Sequence, residues 1–423
     1  MKLAVIGGGS TYTPELIDGF CRRRAELPIE QLWLVDPDAD RLRPVAGMSQ
    51  RMFAHAGHPG QIVPTDNLVA AVSDADAVLF QLRIAGQAQR HVDETFPHPC
   101  GCIGQETTGA GGFAKALRTV PVVLDIADTV RRLAKPDAWI IDFTNPVGIV
   151  TRALLQAGHR AVGLCNVAIN FQRTFAELLG VGPDQVRLGH VGMNHLTWER
   201  SVWVTEDERT RDALPELLDR HIAELAEEIE LPATLIRLAE SIPSYYLRYF
   251  YAHDVVFEEQ QHGPTRAQEV MEVERELLAL YADPTQNTKP EALSKRGGAY
   301  YSEAAVDLMA ALRSPRGSVQ VVNVRNDGTL PFLPDDHVIE VPATVSAHGL
   351  TTLGVDPVPD DIAGLIAAVA GYERLALDAA VHGGRDRVVR ALLAHPLVGQ
   401  YDKAERLADA LIARNKDYLA WAQ

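Results

Sequence analysis

The stretch KLAVIGGGSTYTPELIDGFCRRR (residues 2–24) decides how this chain begins to fold. A short apolar run breaks into three glycines. A polar turn follows, and a segment with helical periodicity opens with Pro14, a residue suited to a first helical turn. Gly7 and Gly9 fill the first two places of a GxGxxG pattern, and Tyr12 stands in the third. Glycine suits those places because backbone amides must come close to a pyrophosphate at a helix N-terminus. Ser10 and Thr11 add hydroxyls that can donate to phosphate. The next strand-like run, QLWLVD, ends in Asp36, 27 residues beyond Gly9. An acid there can hold ribose hydroxyls and repels a 2′-phosphate, which favours NAD over NADP. Asp36 also begins DPDAD, an ordinary Asp-Pro turn, and the two readings are compatible.

Outward from this unit, further apolar runs recur in DAVLFQLR, DAWIIDFTNP and AVGLCN. Helix-period segments such as FAKALRTVPVVLDIADTVRRLAK separate them. Apolar strands alternating with helices predict an α/β fold, a Rossmann-type doubly wound parallel sheet over residues 1–190. After about residue 185 the pattern changes. VRLGHVGMNHLTWERSVWV reads as antiparallel strands, helices are expected over 212–230, 266–282, 300–313 and 361–381, and SVQVVNV and HVIEVPATV read as strands between them. DPTQNTKPEALSKRGG (283–298) reads as a long polar loop. Residues 191–423 are therefore expected to form an α+β C-terminal domain, in a malate/lactate dehydrogenase-like architecture.

Length and charge narrow the function. The 423 residues exceed what one core normally holds, so two domains are expected. A net charge of −16 without a lysine-rich tract disfavours nucleic acid and anionic membrane surfaces as partners. No stretch approaches the roughly 18 apolar residues of a membrane span, and Met1-Lys2 leads straight into the first strand without a signal-peptide pattern. Cys21, Cys100, Cys102 and Cys165 form no disulfide framework or CxxC pair, which fits a reducing cytoplasm. Cys165, ending the apolar run AVGLC, reads either as a buried core thiol or as a ligand or nucleophile at a strand end.

Seven segments in order resolve that choice: VIGGGSTYTPELI, GQETTGAGGFAKALRTVPVVLDI, DFTNPVGIVT, GLCNVAINF, GMNHLTW, SYYLRYFY and TRAQEVME. Together they resemble glycoside hydrolase family 4, the NAD- and metal-dependent glycosidases, and most closely its 6-phospho-β-glucosidase branch. The resemblance implies that Cys165 and His195 ligate a divalent metal, usually manganese. Their separation of 30 residues is no local metal motif. One thiolate and one imidazole would leave positions open for substrate oxygens. One departure stands out: Ala168 replaces the proline that usually follows the family's Cys-Asn-Val.

A conventional glycosidase flanks the scissile bond with two carboxylates, a scheme from which NAD-dependent family 4 departs. The resemblance implies a redox-neutral route of oxidation at carbon 3, proton removal at carbon 2, elimination, water addition and reduction. It implies Tyr246 as the base and Glu106 as the residue that raises its basicity. Asn145 and Asn166 are implied at the sugar, and Arg90 and Arg266 at the substrate and its phosphate; Arg83 is set aside as a decoy. The expected substrate is a phosphorylated disaccharide or aryl glucoside, and the expected assembly a homodimer or homotetramer. Alternatives are an NAD-dependent 2-hydroxy-acid dehydrogenase, a non-catalytic dinucleotide sensor, and a family member acting on an unphosphorylated hexoside.

Overall fold

Six parallel strands carry the N-terminal half of the computed structural model, which describes residues 1–297 and 300–423. They are β1 (Lys2–Ile6), β2 (Gln31–Val35), β3 (Gln61–Thr65), β4 (Ala77–Phe80), β5 (Trp139–Asp142) and β6 (Ala161–Gly163). Their order across the sheet is β3-β2-β1-β4-β5-β6, the doubly wound arrangement. All four residues of β4 and four of the five in β1 are buried, as expected for strands covered on both faces. The order reverses between β1 and β4, and ligands of such sheets bind outside the carboxyl ends of the strands at that point. The sequence reading missed β3. It is an edge strand that carries Pro64 between polar ends, and proline inside a run argues against a strand everywhere except at an edge.

The second half contributes to both of the chain's sheets. β7 (Val186–Met193), β8 (Leu196–Glu206), β9 (Arg209–Asp212) and β10 (Ile242–Pro243) form a smaller antiparallel sheet. β11 (Ser318–Arg325), β12 (Val338–Ser346) and β13 (Gly349–Thr352) instead extend the first sheet beyond β6, antiparallel to it and to one another. β7 runs through residue 190, where the division was expected, and one hydrophobic core continues through both halves.

Three of the four expected helices appear as Arg266–Ala282, Tyr301–Arg313 and Asp360–His382. The fourth is two helices, Leu214–Arg220 and Ile222–Ile229, interrupted at His221, and Asp212 belongs to β9. The loop read at 283–298 includes a 3₁₀ segment, Glu291–Arg296; its last residue, Gly298, lies outside the described residues. No helix among the described residues is long and apolar enough to cross a membrane.

Close approach at the β6–β11 junction depends on Gly163. A Cβ there would lie 2.2 Å from Thr151 Oγ1 and 2.8 Å from the Cβ of Asn323, its partner in register. Gly163→Ala is therefore expected to destabilise the protein by about 1–3 kcal/mol, the usual cost of overpacking. An unchanged urea midpoint would contradict this packing.

Candidate active site

The carboxyl ends of β1, β4, β5 and β6 open on a cleft of about 730 Å³. At its dinucleotide end, Gly7 has φ +88° and Gly7 N and Gly8 N both donate to Val35 O at 2.9 Å, turning the chain sharply after β1. A Cβ on Gly7 would sit 2.7 Å from Gln81 O, and one on Gly9 would sit 2.8 Å from the Asp36 carboxylate. Asp36 Oδ2 accepts from Gly9 N at 3.0 Å, and Oδ1 accepts from Asp38 N at 3.0 Å. One carboxylate thus fixes both the glycine turn and its own Asp-Pro turn. Ser10 lines the cleft. Thr11 does not: it is fully buried, its Oγ1 accepts from Arg296 Nε at 2.8 Å, and it lies 3.3 Å from Glu274 Oε1. Its role in the structure is to tie the turn to the C-terminal half.

At the other end, β7 and β8 are joined by a two-residue hairpin, since Met193 pairs directly with Leu196. His195 occupies its second position with φ +62°, a left-handed conformation that non-glycine residues rarely adopt and that is concentrated at functional sites. Its Nδ1 and Thr107 Oγ1 are 2.7 Å apart, leaving Nε2 as the ring nitrogen without a hydrogen bond among the described residues. Burial pushes the imidazole pKa down to about 4, so the ring is neutral, the form that binds metals. Tyr246 lies flat against it, ring centroids 3.6 Å apart and planes 7° from parallel. Tyr245 and Tyr249 also line the cleft, whereas Tyr251 is partly exposed outside it.

Cys165 follows β6 and is buried, with Tyr301 and Asn194 as polar neighbours; burial pushes its thiol pKa up. It borders a second cavity, of about 920 Å³, rather than the main cleft. Asn166, which does line the cleft, is the N-cap of helix Val167–Leu179. Ala168 is the second residue of that helix. A first-turn N–H has no intrahelical partner in any case, so the local geometry tolerates alanine in place of proline.

Asn145 lines the cleft after β5, and its Oδ1 is buried without a partner among the described residues. Among the described residues no group of three His, Cys, Asp or Glu side chains could hold a metal. Cys165, a free thiol, and His195, a neutral imidazole whose Nε2 makes no hydrogen bond among the described residues, have the donor chemistry that suits a divalent ion.

Glu106 is the electrostatic centre of the cleft. Lys115 Nζ lies 2.6 Å and Arg90 Nη2 3.2 Å from its oxygens, and Arg83 Nη1 bonds it as well. Burial alone would raise the carboxyl pKa, but Arg83, Lys115 and Arg90 outweigh it and hold the value well below the ordinary one. This corrects the reading of Arg83, which lines the site. Arg90 is nearly buried and also pairs with Glu94 Oε1 at 2.7 Å, whereas Arg266 is half-exposed, ion-paired with Glu269 on its own helix and donating from Nη2 to Lys295 O at 3.1 Å. The cleft lining holds six cationic side chains (Arg41, Arg83, Arg90, Lys115, Arg266, Arg296) against five carboxylates (Asp36, Asp38, Glu94, Glu106, Glu274), in a chain of net charge −16. Thr107, Lys115 and Tyr301 escaped the sequence reading. The first two lie inside the GQETTGAGGFAKALRT segment, which was their only signal.

Comparison with known proteins decides what this cleft belongs to. The family 4 glycosyl hydrolase model matches residues 2–181, and the model of that family's C-terminal domain matches residues 190–398. The chain belongs to family 4 of the glycosyl hydrolases. It is 37% identical over 430 residues to a probable 6-phospho-β-glucosidase of Bacillus subtilis (strain 168), covering 99% of this chain and 97% of that protein. The 6-phospho-β-glucosidase of Thermotoga maritima, solved with manganese, NAD+ and glucose-6-phosphate, superimposes with a TM-score of 0.92 at 35% identity over 99% of both chains. Trichomonas vaginalis lactate dehydrogenase, at 14% identity and a TM-score of 0.54 over 90% of this chain and 98% of that one, shares the fold alone.

Removing one member of a buried ion cluster costs about 3–5 kcal/mol, because the remaining charges lose compensation. Glu106→Ala is therefore expected to lower the urea unfolding free energy by about that amount, leaving three cations crowded together. A variant as stable as the parent would show that the cluster is not coupled in this way.

Proposed function

We propose that this chain hydrolyses 6-phospho-β-glucosides in the cleft described, with NAD and manganese as cofactors. The observation that carries the reading is the flat contact between Tyr246 and His195, with Cys165 beside Asn194, the residue before His195. It brings the candidate base against the candidate ligand pair. The closeness to 6-phospho-β-glucosidases over the full length supports the substrate class.

Gly7, Gly9, Ser10 and Asp36 hold NAD, which supplies a reversible hydride acceptor; Thr11 supports the turn from behind. Cys165 and His195 hold the metal, which polarises substrate oxygens. Asn145 and Asn166 bind sugar hydroxyls, since a carboxamide can donate to one and accept from its neighbour. Arg266 receives the 6-phosphate together with Arg90, guanidinium forks being matched to phosphate oxygens.

Tyr246 moves the proton. Burial, first of all, and then the neighbouring Cys165, Tyr249 and Glu106 raise its phenol well above the ordinary value and favour its protonated form. Arg90 acts in the opposite direction and stabilises the phenolate once formed. Glu106 thus serves both as basicity-raising neighbour and as anchor for the cations around it. The reading places the NAD-binding unit at residues 1–190 and the substrate and assembly unit at 191–423, supported by family matches that end at 181 and resume at 190. It also takes the enzyme as a cytoplasmic homodimer or homotetramer, with four free cysteines in keeping with a reducing setting.

Release of p-nitrophenol from its β-glucoside 6-phosphate should require both NAD and manganese, with no accumulation of NADH. Undiminished turnover with either omitted would contradict the proposal. Tyr246→Phe should lower kcat by roughly 10²–10⁴, the usual worth of a positioned general base. Arg266→Ala should raise KM about tenfold or more for the phosphorylated substrate, given roughly 1.5–3 kcal/mol for a charge-assisted contact. An unchanged preference over the plain glucoside would place the phosphate elsewhere.

A further inference from the structure

Behind the cleft, three ionisable side chains lie in a row with no access to solvent. Glu340, on β12, is 1% exposed. Its Oε1 lies 3.0 Å from His190 Nε2, and His190 Nδ1 lies 2.5 Å from Glu199 Oε1. His190 and Glu199 face each other directly across the β7–β8 pair. Glu340 Oε2 accepts from Asn194 Nδ2 at 3.0 Å and from Asn323 Nδ2 at 2.8 Å. Burial of two carboxylates is costly, and pairing with a protonated imidazole offsets only part of that cost.

The donors bound to Glu340 show what the arrangement accomplishes. Asn194 immediately precedes His195 and forms the first position of the strained two-residue hairpin. Asn323 pairs in register with Gly163, two residues before Cys165. The thiol and the imidazole are presented from different sheets; Glu340 binds Asn194, beside the imidazole, and Asn323, on the strand β11 that pairs with β6 ahead of Cys165. Burial would lower the His190 pKa, but Glu199 and Glu340 outweigh it and raise the value to about 10, and the Glu340 carboxylate lies close enough to act on both Cys165 and His195. Both oxygens of Glu340 are already engaged, so it supports the site without joining it.

We propose that Glu340, braced by His190 and Glu199, is a positioning residue that fixes the separation of Cys165 and His195 and supplies a buried negative charge favouring a divalent cation. This rests on the metal assignment made above. Groups that orient metal ligands typically change affinity by 10- to 100-fold when lost.

The test is Mn2+ binding to the full-length protein with NAD present, followed by the electron paramagnetic resonance signal of free Mn2+, beside NAD affinity measured separately. Glu340→Gln should raise the Mn2+ dissociation constant by about 10- to 100-fold, with NAD affinity unchanged within about twofold. Asn323→Ala keeps the buried charge and should weaken Mn2+ binding less, by about tenfold; it carries the test on the same criterion if Glu340→Gln does not fold. Mn2+ affinity within about twofold of the parent in the folded variants, or equal loss of NAD and Mn2+ binding, overturns the proposal. Cys165→Ser separates the two levels. If it weakens Mn2+ binding while the Glu340 and Asn323 variants do not, positioning alone fails; if it too leaves Mn2+ binding unchanged, the metal assignment falls and the positioning role with it.

Discussion

The buried charge of Glu106 organises the catalytic end of the cleft. Three cations reach it from separate places: Arg83 beyond β4, Arg90 from helix Gly86–Thr95, and Lys115 from helix Gly109–Leu133. Lys115, almost fully buried, has its ion pair in Glu106 alone among the described residues, while Arg90 shares Glu106 with Glu94. Thr107, the next residue in the chain, holds His195 through Nδ1, so the same short loop sets both the electrostatics and the orientation of the imidazole. Glu94 completes the arrangement by accepting from Arg90 and from Ala267 N in the first turn of the helix that bears Arg266. The helix that bears Arg266 is therefore tied to the same network.

Around this centre the fold supplies rigid strand ends and a few enforced close approaches. The parallel sheet brings Gly7, Asp36, Asn145 and Asn166 to one edge although they are far apart in sequence. The antiparallel sheet brings His195 to the same place on a hairpin too short to relax. The φ of +62° at His195 is a local cost borne by well-paired flanking strands and by the hydrogen bond from Asn194 to Glu340.

Much of this was legible in the sequence, for identifiable reasons. Apolar runs breaking into Gly7–Gly9 and Asp36 announce strand ends, because buried parallel strands read as continuous hydrophobic segments. The edge strand β3 was hidden by Pro64 and its polar termini. The joining of β11 and β12 to the first sheet could not be read either, since pairing partners more than 150 residues apart leave no local pattern. In the site, resemblance selected Cys165, His195, Tyr246 and Glu106; the last three line one cleft, while Cys165 borders the second cavity. Thr11 was misjudged because a hydroxyl beside a glycine turn looks the same in sequence whether it faces the cleft or Arg296. Arg83 was set aside because nothing in its surrounding sequence reveals Glu106, 23 residues away.

Glu106 and Glu94, carboxylates of the cleft lining, are both held in ion pairs, Glu106 by three cations, whereas a displacing glycosidase opposes two carboxylates across the scissile bond. The central claim is that Tyr246 removes a proton from the sugar carbon next to the anomeric centre. Hydrolysis of p-nitrophenyl β-glucoside 6-phosphate in deuterated water, followed by nuclear magnetic resonance of the glucose 6-phosphate formed, tests it directly. The account predicts deuterium at carbon 2 of the product, while hydrogen fully retained at that position would contradict it.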